Sequence, residues 1–246
     1  MSNEVPIGKR LCRLLLVKLP LSLIALSLVW VLVLKWCPVL VTPLMVQRSI
    51  AYRSDKEFRT RKVWKPYREI SPELARAVIA SEDNLFEKHH GFDFKAIKDA
   101  RREAKDGKRV RGASTISQQT AKNVFLLPHR NLVRKGLEAY FTVLIEAIWG
   151  KERILEVYLN VAEMGKGVYG AEAAARYHFD IPASKLTRRQ SCLIAACLPN
   201  PLKRNASHPS SYVSRRAAAI SSLEQKLSYP EWIRHGTGVP SGKRKR

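Results

Sequence analysis

Residues 81–93 read SEDNLFEKHHGFD, and we expect the rest of the chain to be arranged around this stretch. A helix signal precedes it: residues 71–73, Ser-Pro-Glu, supply an N-cap, a proline at the first helical position and an acid in the first turn. Apolar residues then recur with the helical period as far as Ser81. Glu82 is therefore predicted at the end of a short helix, followed by a segment rich in acids and histidines.

Downstream the chain reads as helical, since no run of any length alternates apolar and polar residues as a strand does. Asp93 and Ser114 are expected to cap the next two helices, and Thr187 with Gln190 forms a capping box before an apolar helix. The glycines of 165–170 predict a flexible loop, and the predicted fold class is all-α. The predicted helices cover residues 94–106, 114–125, 132–149, 151–159, 193–198 and 211–228, and the core stripe of the third is Leu137, Phe141, Leu144 and Ile148.

Several features carry little information by themselves. The adjacent acids Glu82 and Asp83 are of a kind that usually faces solvent. The pair at 89–90, His-His, does not favour a metal site, because neighbouring side chains diverge and no His-x-x-x-His pair exists. The glycine loop matches neither a phosphate-binding nor a dinucleotide-binding turn. The apolar run 124–127 ends a helix, and it is either part of the core or an exposed lip that enters a membrane.

The chain is strongly basic. Its 246 residues contain 44 Lys and Arg against 21 Asp and Glu, a formal charge of +23. Such an excess indicates a polyanionic neighbour, which on charge alone is nucleic acid, an anionic lipid surface or a phosphorylated substrate. A merely soluble basic surface is the alternative, but the charge exceeds what solubility requires. Nucleic-acid binders interleave aromatic residues with cations on one face, and since no such stripe is present, no nucleic-acid partner is expected.

An apolar run near the N-terminus predicts a membrane anchor. A helix over 14–34 would be about 31 Å long, close to the thickness of a hydrocarbon core, and Lys18 near its end can reach the headgroups. No small-residue cleavage site follows, so we expect an uncleaved anchor. Cations on both sides leave its orientation undecided. The predicted segments are a cytoplasmic basic head (1–13), a transmembrane helix (14–34), a basic membrane-proximal linker (35–70), one domain (71–230) and a basic disordered tail (231–246).

Four clusters taken together resemble the successive motifs of a known family. They are Glu82-Asp83-x-x-Phe86-x-x-His89-x-Gly91-x-Asp93, Gly112-x-Ser114-Thr115-Ile116-x-Gln118-Gln119-x-x-Lys122-Asn123, Arg134-Lys135-x-x-Glu138 and Lys151-x-Arg153-Ile154-Leu155-Glu156-x-Tyr158-Leu159-Asn160. In this order and spacing they resemble the peptidoglycan glycosyltransferases, over residues 70 to 230. Ala113 and Ser117 depart mildly from the commonest pattern, in which many members carry Gly and Thr.

The resemblance implies a lysozyme-like helical fold in two lobes with a groove between them. It also implies a reaction: the growing glycan moves from its own undecaprenyl diphosphate to the 4-hydroxyl of the next lipid-linked disaccharide-peptide (lipid II). A β-1,4 bond forms with inversion, undecaprenyl diphosphate leaves, and no organic cofactor takes part. Because no transpeptidase motif follows the matched region, a free-standing polymerase is expected.

The resemblance assigns roles to individual residues. Glu82 is the base that deprotonates the attacking hydroxyl. Glu138 is the second acid, with two roles left open: orienting nearby cations, or holding a divalent ion (Mg or Mn) at the diphosphate. The residues expected to bind the diphosphate are Lys122, Arg130, Arg134 and Lys135, and those expected to bind donor groups are Ser114, Thr115, Gln118 and Gln119. The supporting residues are Asp83, Phe86, His89, Gly91, Asp93, Gly112, Asn123, Arg153, Glu156 and Asn160, with Glu156 tied to a neighbouring cation.

The resemblance further implies a single-pass protein of the inner membrane with its domain in the periplasm. The expected partners are the lipid-linked precursor, the growing glycan chain, anionic lipid headgroups and cell-division or elongation proteins. A lysozyme-like hydrolase or lytic enzyme is the alternative function, since it shares the fold and a glutamate at a helix end. A hydrolase has no diphosphate leaving group, however, and would not need the cations of 122–135.

Overall fold

The computed structural model describes residues 14–107, 112–129 and 131–235. The predicted head (1–13), the last part of the predicted tail (236–246) and Arg130 lie outside the described residues. The chain divides into two units, the first ending at Cys37 and the second beginning at Pro38.

The described residues of the first unit form an apolar helix. A π-helical turn, Leu14–Lys18, leads into α1, Leu19–Leu34, with a proline in its first turn, where a missing N–H has no partner to lose. Among the described residues, Leu16–Leu34 is the one stretch of helix long and apolar enough to cross a membrane. Its length and composition agree with the predicted anchor.

The second unit is mostly helical, as predicted, with very little strand. Short 3-10 turns lie at Tyr67–Glu69 and Ala183–Lys185. Its helices are α2 (Pro43–Ala51), α3 (Pro72–Glu82), α4 (Phe94–Lys105), α5 (Ile116–Phe125), α6 (Leu132–Ile148), α7 (Lys151–Val161), α8 (Ala171–Phe179), α9 (Arg188–Cys197), α10 (Ser211–Glu224) and α11 (Glu231–His235), and its strands are β1 (Arg61–Lys62), β2 (Glu163–Gly165) and β3 (Val168–Tyr169).

Side-chain caps set the beginnings of the helices near the site. Ser71 accepts a hydrogen bond from the first turn of α3, and Asp93 accepts one from the first turn of α4, as expected. The predicted capping box of Thr187 and Gln190 opens α9. The prediction for α5 was wrong by one residue, because Thr115 rather than Ser114 is the N-cap. The Ser114 side chain is therefore not used as a cap.

Two groups of helices build the second unit. Helices α3, α9 and α10 pack on one another, while α5 packs on α6 and α7. The predicted stripe of α3 is confirmed, since Leu74, Ala77 and Val78 are fully buried. Burying one leucine side chain stabilises the fold by about 1.5–3 kcal/mol. The end of α3 and the beginning of α5 bring the two groups together at the 81–93 stretch.

The glycine segment 165–170 is a hairpin, buried except at Lys166, and not the flexible loop that its composition predicts. Strands β2 and β3 pair antiparallel, and β1 joins β3 in parallel, giving the order β1-β3-β2. The turn requires Gly167, which has a φ of 71°, and a Cβ there would lie 2.5 Å from the Arg59 carbonyl oxygen. Strands of two or three residues are too short to show an alternating pattern, so the sequence gives no sign of them.

The buried face of α6 agrees with the predicted stripe only in part: Phe141 is buried as predicted, while Leu144 and Ile148 are half-buried. Glu138, Phe141, Thr142 and Ile145 are the buried residues, whereas Leu137 is 45 % exposed. Phe141 stacks on a phenylalanine of α5 with the ring centroids 4.4 Å apart, and this contact sets the rotation of the helix. Glu138 therefore lies on the buried face and not on its flank.

The predicted linker 35–70 contains regular structure from Pro43 onward. Helix α2 packs on α5, and Arg48 of α2 pairs with Glu163 of β2 at 3.3 Å. Residues 231–235 of the predicted disordered tail form α11, because Ile233 is fully buried there. The domain thus extends beyond the predicted 71–230 boundaries at both ends.

The apolar run 124–127 resolves into two parts. Val124, Phe125 and Leu126 are buried, which makes them core residues. Leu127 is 61 % exposed. The first of the two interpretations left open by the sequence therefore holds for three of the four residues.

Candidate active site

Asp83 fastens the two helix groups to each other. Its Oδ2 accepts a hydrogen bond from the Ile116 N–H at 2.9 Å, at the beginning of α5. Its Oδ1 lies 2.8 Å from His89 Nε2. The carboxylate is buried and is satisfied at both oxygens, so the residue predicted as a support has a structural role next to Glu82.

His89 and Gly91 complete this junction. The Gly91 N–H donates to His89 Nδ1 at 3.2 Å, so the other ring nitrogen carries the proton that His89 donates to Asp83. The Thr115 hydroxyl donates to the Gly91 carbonyl at 2.7 Å. Gly91 has a φ of 88°, and a Cβ there would lie 2.7 Å from the Thr142 methyl carbon. A larger residue at position 91 would therefore force the junction apart.

Four further predicted supports, Phe86, Arg153, Glu156 and Asn160, pack behind the site. Phe86 is fully buried beneath the Lys151 ammonium, which lies 4.6 Å from the ring centroid. Glu156 pairs with Arg153 at 2.8 Å, as predicted, and also accepts from the Tyr67 N–H. Asn160 is fully buried and bonds to the backbone of residue 65 on both sides of its amide.

Glu82 is held by neutral hydrogen-bond donors. The Ser81 hydroxyl donates to its Oε1 at 3.0 Å, and Gln119 Nε2 donates to its Oε2 at 3.2 Å. Its side chain is 12 % exposed and opens into a hollow of about 610 Å³ between the end of α3 and α4. Each carboxylate oxygen accepts one bond and keeps a further lone pair that another donor can use.

Tyr158 orients the amide that holds Glu82. Its hydroxyl donates to Gln119 Oε1 at 3.3 Å, which turns Nε2 toward the carboxylate. Complete burial raises the pKa of Tyr158 well above its ordinary value, with smaller contributions from Glu82 and Asp83, so the phenol keeps its proton and remains a donor.

Glu138 is held by cations. Arg134 Nη1 lies 2.6 Å from its Oε2, and the Lys135 ammonium bonds to its Oε1. The Glu138 side chain is only 4 % exposed. These residues line a second hollow of about 500 Å³, which also receives Lys122 and Asn123 from α5.

Lys122 lies within electrostatic reach of both glutamates. Burial lowers the pKa of its ammonium, while Glu138 and, more weakly, Glu82 raise it, and Arg134 and Lys135 oppose them. Within residues 14–107, 112–129 and 131–235 Lys122 makes neither a hydrogen bond nor an ion pair through its side chain. A cation that is buried in part and unpaired can bind an anion that enters the hollow.

The two hollows meet at the beginning of α5. Both are lined by Ser114, while Gln119 lines the second hollow and bonds to Glu82 at the edge of the first. Thr115 and Gln118 line one hollow each, but their side chains also form the capping box of α5. The structure thus brings the predicted carboxylates, cations and amides to one groove, whereas Arg130 lies outside the described residues.

Three residues of the site have no predicted role. They are Ser81, Tyr158 and Arg216 of α10, whose Nη2 donates to Ser81 at 3.2 Å. Tyr158 belongs to the fourth motif, and its fixed position there could have indicated it. Arg216 lies 135 residues from Ser81 along the chain, so no local pattern connects the two.

The surroundings of Glu138 do not fit a divalent ion held by the protein. Such an ion needs several oxygen ligands, but both Glu138 oxygens already bond to Arg134 and Lys135, and neighbouring Lys122 is a third cation. In the described part of the chain, no three His, Cys, Asp or Glu side chains come together as metal ligands. Of the two roles left open for Glu138, this geometry favours the orientation of cations.

Comparison with known proteins gives consistent matches over the same region. The family model described as Transglycosylase matches residues 49–224. A biosynthetic peptidoglycan transglycosylase of Bacteroides thetaiotaomicron is 56 % identical over 191 residues, which is 77 % of each chain. Proteins of the same name from Pseudomonas entomophila and Caulobacter vibrioides are each 51 % identical, over 84 % and 86 % of this chain and 88 % and 90 % of their own.

The matched region contains every helix of the groove, from α3 to α10, as well as both glutamates and the three described cations. A sequence identity of about 50 % over more than 200 residues shows that the chain and these proteins are homologous. The chain belongs to the transglycosylase family and is a glycosyltransferase.

Proposed function

We propose that the chain is a peptidoglycan polymerase that elongates glycan strands from a lipid-linked disaccharide-peptide precursor, lipid II. The names of the relatives support peptidoglycan as the product. The residues of the groove support a sugar transfer that expels a diphosphate. One observation carries the proposal: Glu82, held by neutral donors, lies beside a hollow in which Lys122, Arg134 and Lys135 gather. A transfer that removes a proton and expels a diphosphate needs these two environments side by side.

In the proposed step Glu82 accepts the proton of the acceptor's 4-hydroxyl. The oxygen attacks the anomeric carbon of the donor sugar, a β-1,4 bond forms, and the bond from that carbon to the diphosphate breaks. The diphosphate leaves with the bonding electron pair as undecaprenyl diphosphate. A base on one face of the sugar and a leaving group on the other give inversion, as in inverting glycosidases, with a sugar hydroxyl in place of water.

The cationic hollow acts on the leaving group. Negative charge grows on the diphosphate as the bond breaks, so contacts with Lys122, Arg134 and Lys135 strengthen in the transition state and lower the barrier. Glu138 keeps Arg134 and Lys135 in place through its two oxygens. The amides of Gln118 and Asn123 and the hydroxyl of Ser114 are available along the same hollow for polar groups of the donor.

We also propose that α1 anchors the enzyme in the inner membrane with the second unit in the periplasm, where the flipped precursor is exposed. The apolar helix supports an anchor. The charge of +23 supports contact with anionic headgroups, where each nearby Lys or Arg adds about 1 kcal/mol of attraction.

A polymerisation assay tests the proposal. The detergent-solubilised protein is incubated with lipid-linked disaccharide-peptide, and the product is separated by size before and after lysozyme digestion. We expect a polymer that lysozyme degrades. A preparation that makes no polymer but releases soluble fragments from purified sacculi would instead identify a hydrolase.

A further inference from the structure

The hydroxyl of Ser81 lies at the centre of a cluster formed by three helices. Its Oγ is 3.0 Å from Glu82 Oε1 on α3, 3.3 Å from the Ala195 carbonyl oxygen on α9 and 3.2 Å from Arg216 Nη2 on α10. Arg216 Nη2 also lies 4.0 Å from Glu82 Oε1. None of the four motifs contains Ser81 or Arg216.

The protons of this cluster can be placed from the chemistry of its groups. A guanidinium only donates, so the Ser81 oxygen accepts from Arg216. The single hydroxyl proton then goes either to Glu82 or to the Ala195 carbonyl. The Glu82 oxygen is nearer and carries negative charge, which makes it the stronger acceptor. Arg216 therefore directs the Ser81 proton toward Glu82.

The surroundings of Arg216 indicate a specific purpose for this contact. In the described part of the chain its side-chain partners are Ser81 and, at longer range, Glu82. Its Nε is buried without a hydrogen-bond partner among the described residues, so the contact of Nη2 with Ser81 is the hydrogen bond that holds this guanidinium there. The other arginines packed against the α3–α10 contact behave differently, since Arg76 and Arg188 pair directly with Glu224.

We propose that Arg216 is a positioning residue that acts through Ser81 to fix the Glu82 carboxylate. Direct pairing with a guanidinium would occupy the carboxylate oxygens with a cation, as at Glu138. With a serine between them, Oε1 accepts a neutral donor and keeps a lone pair for the acceptor hydroxyl, while Gln119 holds Oε2. The inference rests on the proposed role of Glu82 as the base.

The test is a double-mutant cycle measured by polymerisation of lipid-linked disaccharide-peptide. Ser81→Ala and Arg216→Gln should each lower kcat about tenfold with KM unchanged, because a misaligned base slows proton transfer but not substrate binding. If Arg216 acts through Ser81, the double variant should also lose about tenfold and not a hundredfold. Ser81→Thr, which keeps the hydroxyl, should restore most of the rate.

Two controls share the chemistry of the substitutions. Arg215→Gln removes the same charge from the exposed neighbour on α10, and Ser222→Ala removes a hydroxyl from the exposed side of the same helix. Both should match the wild type in rate, and all variants should unfold at the temperature of these controls.

Three outcomes would overturn the inference. A hundredfold loss in the double variant would show independent action, and a raised KM with unchanged kcat for Arg216→Gln would show that Arg216 binds the substrate. Wild-type rates in both single variants would show that the cluster does not position Glu82. A wild-type protein that makes no polymer would instead overturn the proposed function, together with the role that rests on it.

Discussion

Glu82 and Glu138 border the same groove but are held in opposite ways. Glu82 accepts hydrogen bonds from a serine and an amide, and part of its side chain is exposed. Glu138 is buried, and each of its oxygens bonds to a cation. Glu138 thus uses its oxygens to hold two cations, whereas Glu82 keeps lone pairs that a substrate hydroxyl can use. The partners, and not the residue type, therefore separate a proton acceptor from an organiser of cations.

The largest effect is expected at Glu82. Glu82→Gln keeps the shape and the hydrogen bond from Ser81 but cannot accept a proton, so polymerisation should fall by about a thousandfold or more. Its hydrogen-bond donors are neutral and the Arg216 guanidinium lies 4.0 Å away, so the free energy of unfolding should fall by no more than about 1 kcal/mol. Glu87→Gln, an exposed glutamate five residues away, is the control for both measurements. Activity near the wild-type level in the Glu82 variant would remove Glu82 from the mechanism.

Replacing Lys122 should change activity and stability in opposite directions. Lys122→Met removes an unpaired cation from the hollow, and we expect about a hundredfold loss of polymerisation. Burial lowers the pKa of Lys122 below its ordinary value of 10.5, so the charged form destabilises the folded chain at pH 7. The variant should therefore be more stable than the wild type at pH 7. Chemical denaturation measures this, with exposed Lys88→Met as the control.

The lowered pKa of Lys122 also predicts how the free energy of unfolding depends on pH. Between the lowered pKa and 10.5 the folded chain binds fewer protons than the unfolded chain, so the contribution of Lys122 to stability rises with pH across that window. Subtracting the denaturation curve of Lys122→Met from that of the wild type should isolate this rise. A difference that falls with pH would mean that Lys122 gains a partner in the folded chain.

Glu138 should show the reverse of the Glu82 pattern. Glu138→Gln leaves Arg134 and Lys135 without their anion, so we expect the free energy of unfolding to fall by about 1–2 kcal/mol, a range that allows for the solvent exposure of Lys135. Polymerisation should fall about tenfold, because the cations lose their fixed positions. Exposed Glu57→Gln provides the reference. If Glu138→Gln were as stable as this reference but inactive, Glu138 would be acting on the substrate directly.

The smallest effect concerns the divalent ion expected from the resemblance. Because cations already occupy both oxygens of Glu138, adding EDTA and then restoring Mg or Mn should change the polymerisation rate by less than about twofold. The measurement uses wild-type protein exchanged into buffer free of divalent ions. A rate that disappears with EDTA and returns with Mg would assign a metal to the diphosphate.

Local patterns predicted the helices well where caps and apolar spacing agree. The caps Ser71 and Asp93, the stripe of α3 and the pairing of Glu156 with a neighbouring cation, which is Arg153, are confirmed. The rotation of α6 could not be read in the same way, because it depends on the stacking of Phe141 against Phe125 across two helices. Leu137 looked like a core residue and Glu138 did not, and the packing reversed them.

The site was predictable only as far as its residues fall in the four motifs. Those motifs indicated both glutamates, Lys122 and Gln119, which the fold brings to one groove. They did not indicate how each glutamate is held. Ser81 and Arg216 are 135 residues apart, and their contact exists only because α3 and α10 pack together. The strands near Gly167 gave no signal in the sequence for a different reason, since two or three residues are too few to show an alternating pattern.

Asp83 shows that a variant can be inactive because the fold is weakened and not because a catalytic group is lost. It ties the beginning of α5 to the end of α3 through Ile116 and His89, and it has no part in the chemistry proposed for its neighbour. A screen for inactive variants will nevertheless find substitutions at both position 82 and position 83. A variant at position 82 has lost the acceptor of a proton, whereas a variant at position 83 has lost the contact that joins the two helix groups. Only a measurement of the unfolding temperature distinguishes the two.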